Sequence, residues 1–87
     1  MRPLKPAPDI EWQVFEEESL LINVRSGVFF RLNRVGTFIW RLLSEGATPA
    51  AILEELLSHF AVERPEAAAD LDRFIASLLD EGLLIQE

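Results

Sequence analysis

The sequence predicts an α+β domain, winged-helix-like, with a three-stranded antiparallel meander followed by three α-helices. Three observations carry that prediction. Apolar residues alternate with period two from Ile10 to Leu32, the period changes to that of a helix from Val35 onward, and Gly or Pro marks most of the changes of direction. At 87 residues, 49% of them apolar, the chain is long enough for one core and too short for two.

Residues 1–9, with prolines at 3, 6 and 8, read as a flexible lead-in to a single domain over 10–87. In the first strand Ile10, Trp12 and Val14 alternate with Glu11, Gln13 and Phe15. The acidic stretch Glu16-Glu17-Glu18-Ser19 breaks that pattern and reads as a hairpin loop. A second strand sets Leu20, Ile22 and Val24 on one face and Leu21, Asn23 and Arg25 on the other. Ser26-Gly27 is the next turn, and the third strand runs over Val28, Phe29, Phe30, Arg31 and Leu32, with Val28, Phe30 and Leu32 facing one way.

Val35, Phe38, Ile39 and Leu42 then fall at helical spacing, flanked by Trp40 and Leu43, with Asn33 as N-cap and Gly46 as stop. Thr48-Pro49 opens a second helix whose buried face is Ile52, Leu53, Leu56, Leu57 and Phe60. Pro65-Glu66 opens a third, ending near Gly82 and leaving Leu83-Leu84-Ile85 as a short apolar tail. Its stripe of Ala67, Ala68, Leu71, Phe74, Ile75, Leu78 and Leu79 covers about 140° of arc, more than the roughly 100° a surface helix needs to face a core.

Catalytic chemistry finds little to work with. The chain has no cysteine and one histidine, so disulfides, thiolate metal sites and cysteine nucleophiles are excluded. Ser58 and His59 are helix neighbours about 100° apart and do not face each other. Glu54-Glu55 and Asp80-Glu81 lie on polar helix faces, and the four glycines are too scattered for a phosphate loop. No catalytic residue, metal site or cofactor is expected. No secretory signal and no apolar run of about 20 residues is present, so a cytoplasmic location without membrane attachment is the expectation.

The formal charge of −7 is unevenly spread. Arg25, Arg31, Arg34 and Arg41 occupy an acid-free stretch, whereas residues 42–87 carry ten acids against two arginines. Nucleic acid is therefore an unfavoured partner, and a local basic zone on an acidic body suits a peptide or protein. A winged-helix DNA-binding or transcription-cofactor domain is the alternative reading, and a structural subunit of a larger enzyme a third. In the meander the third strand is an edge with a row of unpaired backbone groups and no proline to guard it. An extended peptide could add there, or a second copy of the chain.

Phe30-Arg31-Leu32-Asn33, Gly36, Ile39-Trp40 and Leu42-Leu43 resemble the leucine–asparagine signature of PqqD-like proteins. Gly46-Ala47-Thr48 before Ile52, Leu56 and Phe60 continues the likeness, as does Asp70-Leu71 with Phe74-Ile75 and Leu78 before Gly82-Leu83-Leu84. The likeness spans residues 12–85. It implies a precursor-peptide recognition element of ribosomally made, modified peptide pathways, without catalysis. Such proteins take the leader segment of a precursor as a further strand on the third strand, beside the third helix. Carried onto this sequence, Val28–Leu32 would be the pairing strand and Leu71, Phe74, Ile75 and Leu78 the groove. Arg25 and Arg34 are candidates for docking the enzyme served. The form is most similar to the discrete leader-binding protein of lasso-peptide clusters, whose partner is a separate cysteine-protease-type leader peptidase. The protein serving a radical enzyme in the quinone-cofactor pathway is the second possibility.

Overall fold

The computed structural model describes residues 3–87 and contains two sheets and three helices. In chain order these are β1 (Leu4–Pro6), β2 (Ile10–Phe15), β3 (Glu18–Asn23), β4 (Phe29–Leu32), α1 (Arg34–Ser44), α2 (Pro49–His59), α3 (Arg64–Asp80) and β5 (Leu84–Gln86). The expected meander is the antiparallel sheet β2-β3-β4, and a separate antiparallel pair joins β1 to β5.

The β2–β3 hairpin is tighter than the acidic stretch predicts. Phe15 pairs with Glu18, so only Glu16 and Glu17 form the turn, and Glu16 accepts a φ of 58° to close it. Glu18 and Ser19 thereby belong to β3. Cross-strand rows follow from the register. Trp12, Leu21 and Phe30 share the inner face with Val14, Ser19 and Leu32, whereas Ile22 and Phe29 or Leu20 and Arg31 share the outer face. Leu21 is fully buried at the centre of the inner face, and Ser19 hydroxyl bonds the Thr37 hydroxyl of α1 at 2.7 Å in a buried contact. That pairing satisfies two polar groups that would otherwise be costly inside.

Helix α1 packs on the inner face. The Asn33 side chain accepts the Gly36 N–H at 2.8 Å, as an N-cap should. Its buried stripe, however, is Gly36, Ile39, Trp40 and Leu43, one position on from the expected Val35, Phe38, Ile39 and Leu42. The rotation places the indole of Trp40 and the Leu43 side chain wholly inside, where burial stabilises by roughly 1.5–3 kcal/mol for each large apolar group. Val35 is left 42% exposed. Trp12 of β2 meets Trp40 nearly at right angles with ring centres 5.4 Å apart.

Thr48 caps α2 through the Ala51 N–H at 3.2 Å, and Ile52 and Leu56 are its buried residues, with Leu53 packed against them. Helices α1 and α3 end alike. Gly46 and Gly82 take positive φ, and the pairs Ala47 N–H to Leu42 C=O and Leu83 N–H to Leu78 C=O close the last turns at 3.0 and 2.9 Å. These Schellman closures reverse the chain where only glycine is unstrained. After Gly82 the apolar tail turns out to be β5: Leu83 and Leu84 are buried, and Leu84 pairs with Pro6.

The segment 1–9, expected as a flexible lead-in, differs accordingly. Met1 and Arg2 lie outside the described residues, but Leu4 is a core residue and Lys5 pairs with Ile85. Prolines do not prevent this, because a two-stranded sheet is all edge and edges tolerate a missing N–H.

Candidate functional site

Among the described residues strand β4 has one neighbour, β3. Val28 C=O accepts the Asn23 N–H at 3.0 Å, which sets the alternation of the antiparallel ladder. Phe30 and Leu32 therefore point their backbone groups at β3, and Phe29 and Arg31 point theirs outward. The chain's own tail does not cover this border, since β5 pairs with β1. Among the described residues the N–H and C=O groups of Phe29 and Arg31 face no strand.

Where β4 runs into α1, the border opens onto a groove of about 440 Å³. Leu32, Val35, Gly36 and Ile39 form one wall, Leu71 and Phe74 of α3 the other, and Leu56 of α2 and Phe60 just after it contribute as well. Arg31, Asn33 and Asp70 supply its polar lining. An apolar trough next to unpaired backbone is chemically suited to an extended chain with apolar side chains at intervals.

The expected site residues divide on placement. Phe29 is 61% exposed on the outer face, Val28 precedes β4 and is also exposed, and Phe30 is half-buried on the inner face. Arg31, Leu32, Leu71 and Phe74 all line the groove. Ile75 and Leu78 do not: both are buried in the core. A helix stripe cannot by itself distinguish these two surroundings. Val35 and Phe60 line the groove without having been expected there. The available signal was their place at the ends of apolar stripes, where a side chain can be released from the core.

The basic zone is largely neutralised by acids of the strands and their loops. Arg31 bonds Glu18 at 2.8 Å, Arg34 lies 3.3 Å from Glu17 and 5.2 Å from the Phe60 ring centre, and Arg25 lies 3.5 Å from Asp9. All three pairs are exposed and each contributes little to stability. At the α2–α3 junction the Arg64 guanidinium, hydrogen-bonded to Glu54 at 2.8 Å, holds that carboxyl below its ordinary value, first through the hydrogen bond and then through charge. His59 bonds the Glu55 carbonyl at 3.0 Å, and its ring lies tilted against Phe38 with centres 5.0 Å apart. Among the described residues no three His, Asp or Glu side chains converge as metal ligands. No helix there is long and apolar enough to cross a membrane.

Residues 18–84 match the family described as coenzyme PQQ synthesis protein D, PqqD. The chain belongs to the PqqD family. Two solved structures are similar to this PqqD-family chain over nearly its whole length. One, TbiB1 in complex with the TbiA(beta) leader peptide, is 31% identical with a TM-score of 0.88, covering 92% of this chain and 93% of the other. The other, a lasso peptide synthetase B1 complexed with the leader peptide, is 28% identical with a TM-score of 0.87, covering 94% and 96%. The heterocyclase TruD contains the same PqqD-like fold within 12% of its chain, at 17% identity and a TM-score of 0.72. No curated protein matches. Nothing in these likenesses favours DNA binding.

Proposed function

We propose that this chain binds the leader segment of a ribosomally made precursor peptide, without catalysis, and delivers it to the enzyme that processes it. The leader adds to β4 through the outward backbone groups of Phe29 and Arg31 and lays apolar side chains into the groove beside Leu71 and Phe74. The observation that carries this reading is an open edge beside an apolar groove in a chain 31% identical to a protein solved with a leader peptide. The lasso peptide synthetase B1 solved with its leader peptide supports the lasso-peptide setting; on this reading the enzyme served is a separate leader peptidase of the cysteine-protease type. On this reading the work is cytoplasmic, where precursors are made. Arg25 and Arg34, exposed and off the pairing strand, dock the enzyme.

The test is a titration of the labelled protein with a synthetic leader from the precursor encoded beside its gene. The backbone amides of Phe29 and Arg31 and resonances of Phe74 should shift together, and the melting temperature should rise with leader concentration. Unmoved amides on β4 at saturating peptide would overturn the reading. Shifts that grow with protein concentration in the absence of peptide would instead place a second copy on this edge.

A further inference from the structure

Gly36 is the third residue of α1, buried in its first turn, and nothing in the backbone requires glycine there: its φ is not positive. The reason lies across the groove. A Cβ placed on Gly36 would meet the Phe74 ring Cζ at 3.3 Å, the Asn33 side-chain oxygen at 3.3 Å and the Leu32 Cβ at 3.4 Å. All four residues line the groove. The missing side chain therefore lets the tip of Phe74 rest against α1 where the groove walls from α1 and α3 converge. A methyl group there must either occupy groove space itself or drive the ring into it.

We propose that Gly36 sets the depth of the groove and so determines the largest apolar side chain a bound peptide can seat there. Gly36 is a positioning residue, acting through Phe74. The inference rests on the leader-binding reading and goes beyond it, by naming which pair of residues selects ligand size. Alanine is the better helix former, but its Cβ obliges the Phe74 ring and the Asn33 cap to yield by a few tenths of an ångström, so the melting temperature of Gly36→Ala is measured beside its affinity. The same change should weaken peptide binding, since loss of space for one methyl group in an apolar pocket is worth roughly tenfold or more in discrimination.

The experiment measures affinities by calorimetry for the synthetic leader from the neighbouring precursor, with each apolar position varied among Ala, Leu and Phe. Gly36→Ala should lose about tenfold affinity for the peptide with the largest tolerated side chain and little for its Ala version. Gly36→Ala combined with Phe74→Leu should recover that loss. Phe74→Leu alone should move the preference toward the bulkier side chain, a readout that holds even if the alanine variant folds poorly. Unchanged size preference in both single variants, with the unmodified protein binding normally, overturns the inference while leaving leader binding intact. If the unmodified protein binds no leader, the parent reading fails and this inference falls with it.

Discussion

Trp40 is the largest side chain fully excluded from solvent, and its indole N–H is the one buried side-chain polar atom without a partner among the described residues. Its value to the fold is therefore in area and shape rather than in hydrogen bonding. Trp40→Ala should cost about 3–5 kcal/mol, a large part of the stability of so small a domain. Trp40→Phe should cost much less, because the lost ring area is offset by removing an unsatisfied donor. Thermal denaturation of the two variants checks this, and equal losses would show that neither the retained ring nor the removed donor offsets anything. At this scale the caps were legible. Asn33 and Thr48 stand before apolar runs, and local chemistry suffices to place them. The Ser19–Thr37 hydroxyl pair was not, because it joins residues 18 positions apart through a tertiary contact.

Strand β4 and helix α3 show what periodicity can and cannot supply. Period-two alternation located β4 to within one residue and set Phe30 and Leu32 on one face, which the fold turns inward. It could not show where the groove lies, because that depends on how α1 rotates when Trp40 is buried and Val35 is released. The same limit explains Ile75 and Leu78, which share a stripe with Leu71 and Phe74 but face the core. The ladder makes its own forecast. In the free protein, hydrogen exchange should be slow at Phe30 and fast at its neighbours Phe29 and Arg31, and uniform protection along β4 would show an edge already covered. Helix α3 carries a second forecast through Glu54 and Arg64. The folded carboxyl of Glu54 titrates below its ordinary value of 4.5, so the pair's contribution is present above the unfolded-state value and lost as pH falls through the lower folded one. A double-mutant cycle with Glu54→Gln and Arg64→Gln should show favourable coupling at neutral pH and none in strong acid.

For the molecule as a whole, the clasp of β1 with β5 is the feature that the sequence concealed most thoroughly. Three-residue strands carry no usable period, and the pairing joins residues about 80 positions apart, Leu4 opposite Gln86 among them. Yet Leu83 and Leu84 are among the most buried residues, in one core with Leu4, Trp40 and Ile52. Leu84→Ala should accordingly destabilise by about 2–5 kcal/mol, measurable by urea denaturation, whereas substitution of the exposed neighbour Gln86 should change little. Charge works at the same scale. Arginines grouped in the sequence are dispersed by folding onto Asp9, Glu17 and Glu18, so a basic block in the chain does not become a basic face.

The same clasp brings together two distant points of the chain. The Glu87 N–H bonds the Pro3 C=O at 2.9 Å, so residues 3 and 87 lie side by side, no further apart than adjacent strands. A unit with that geometry can be spliced into a surface loop of a host protein without stretching either junction.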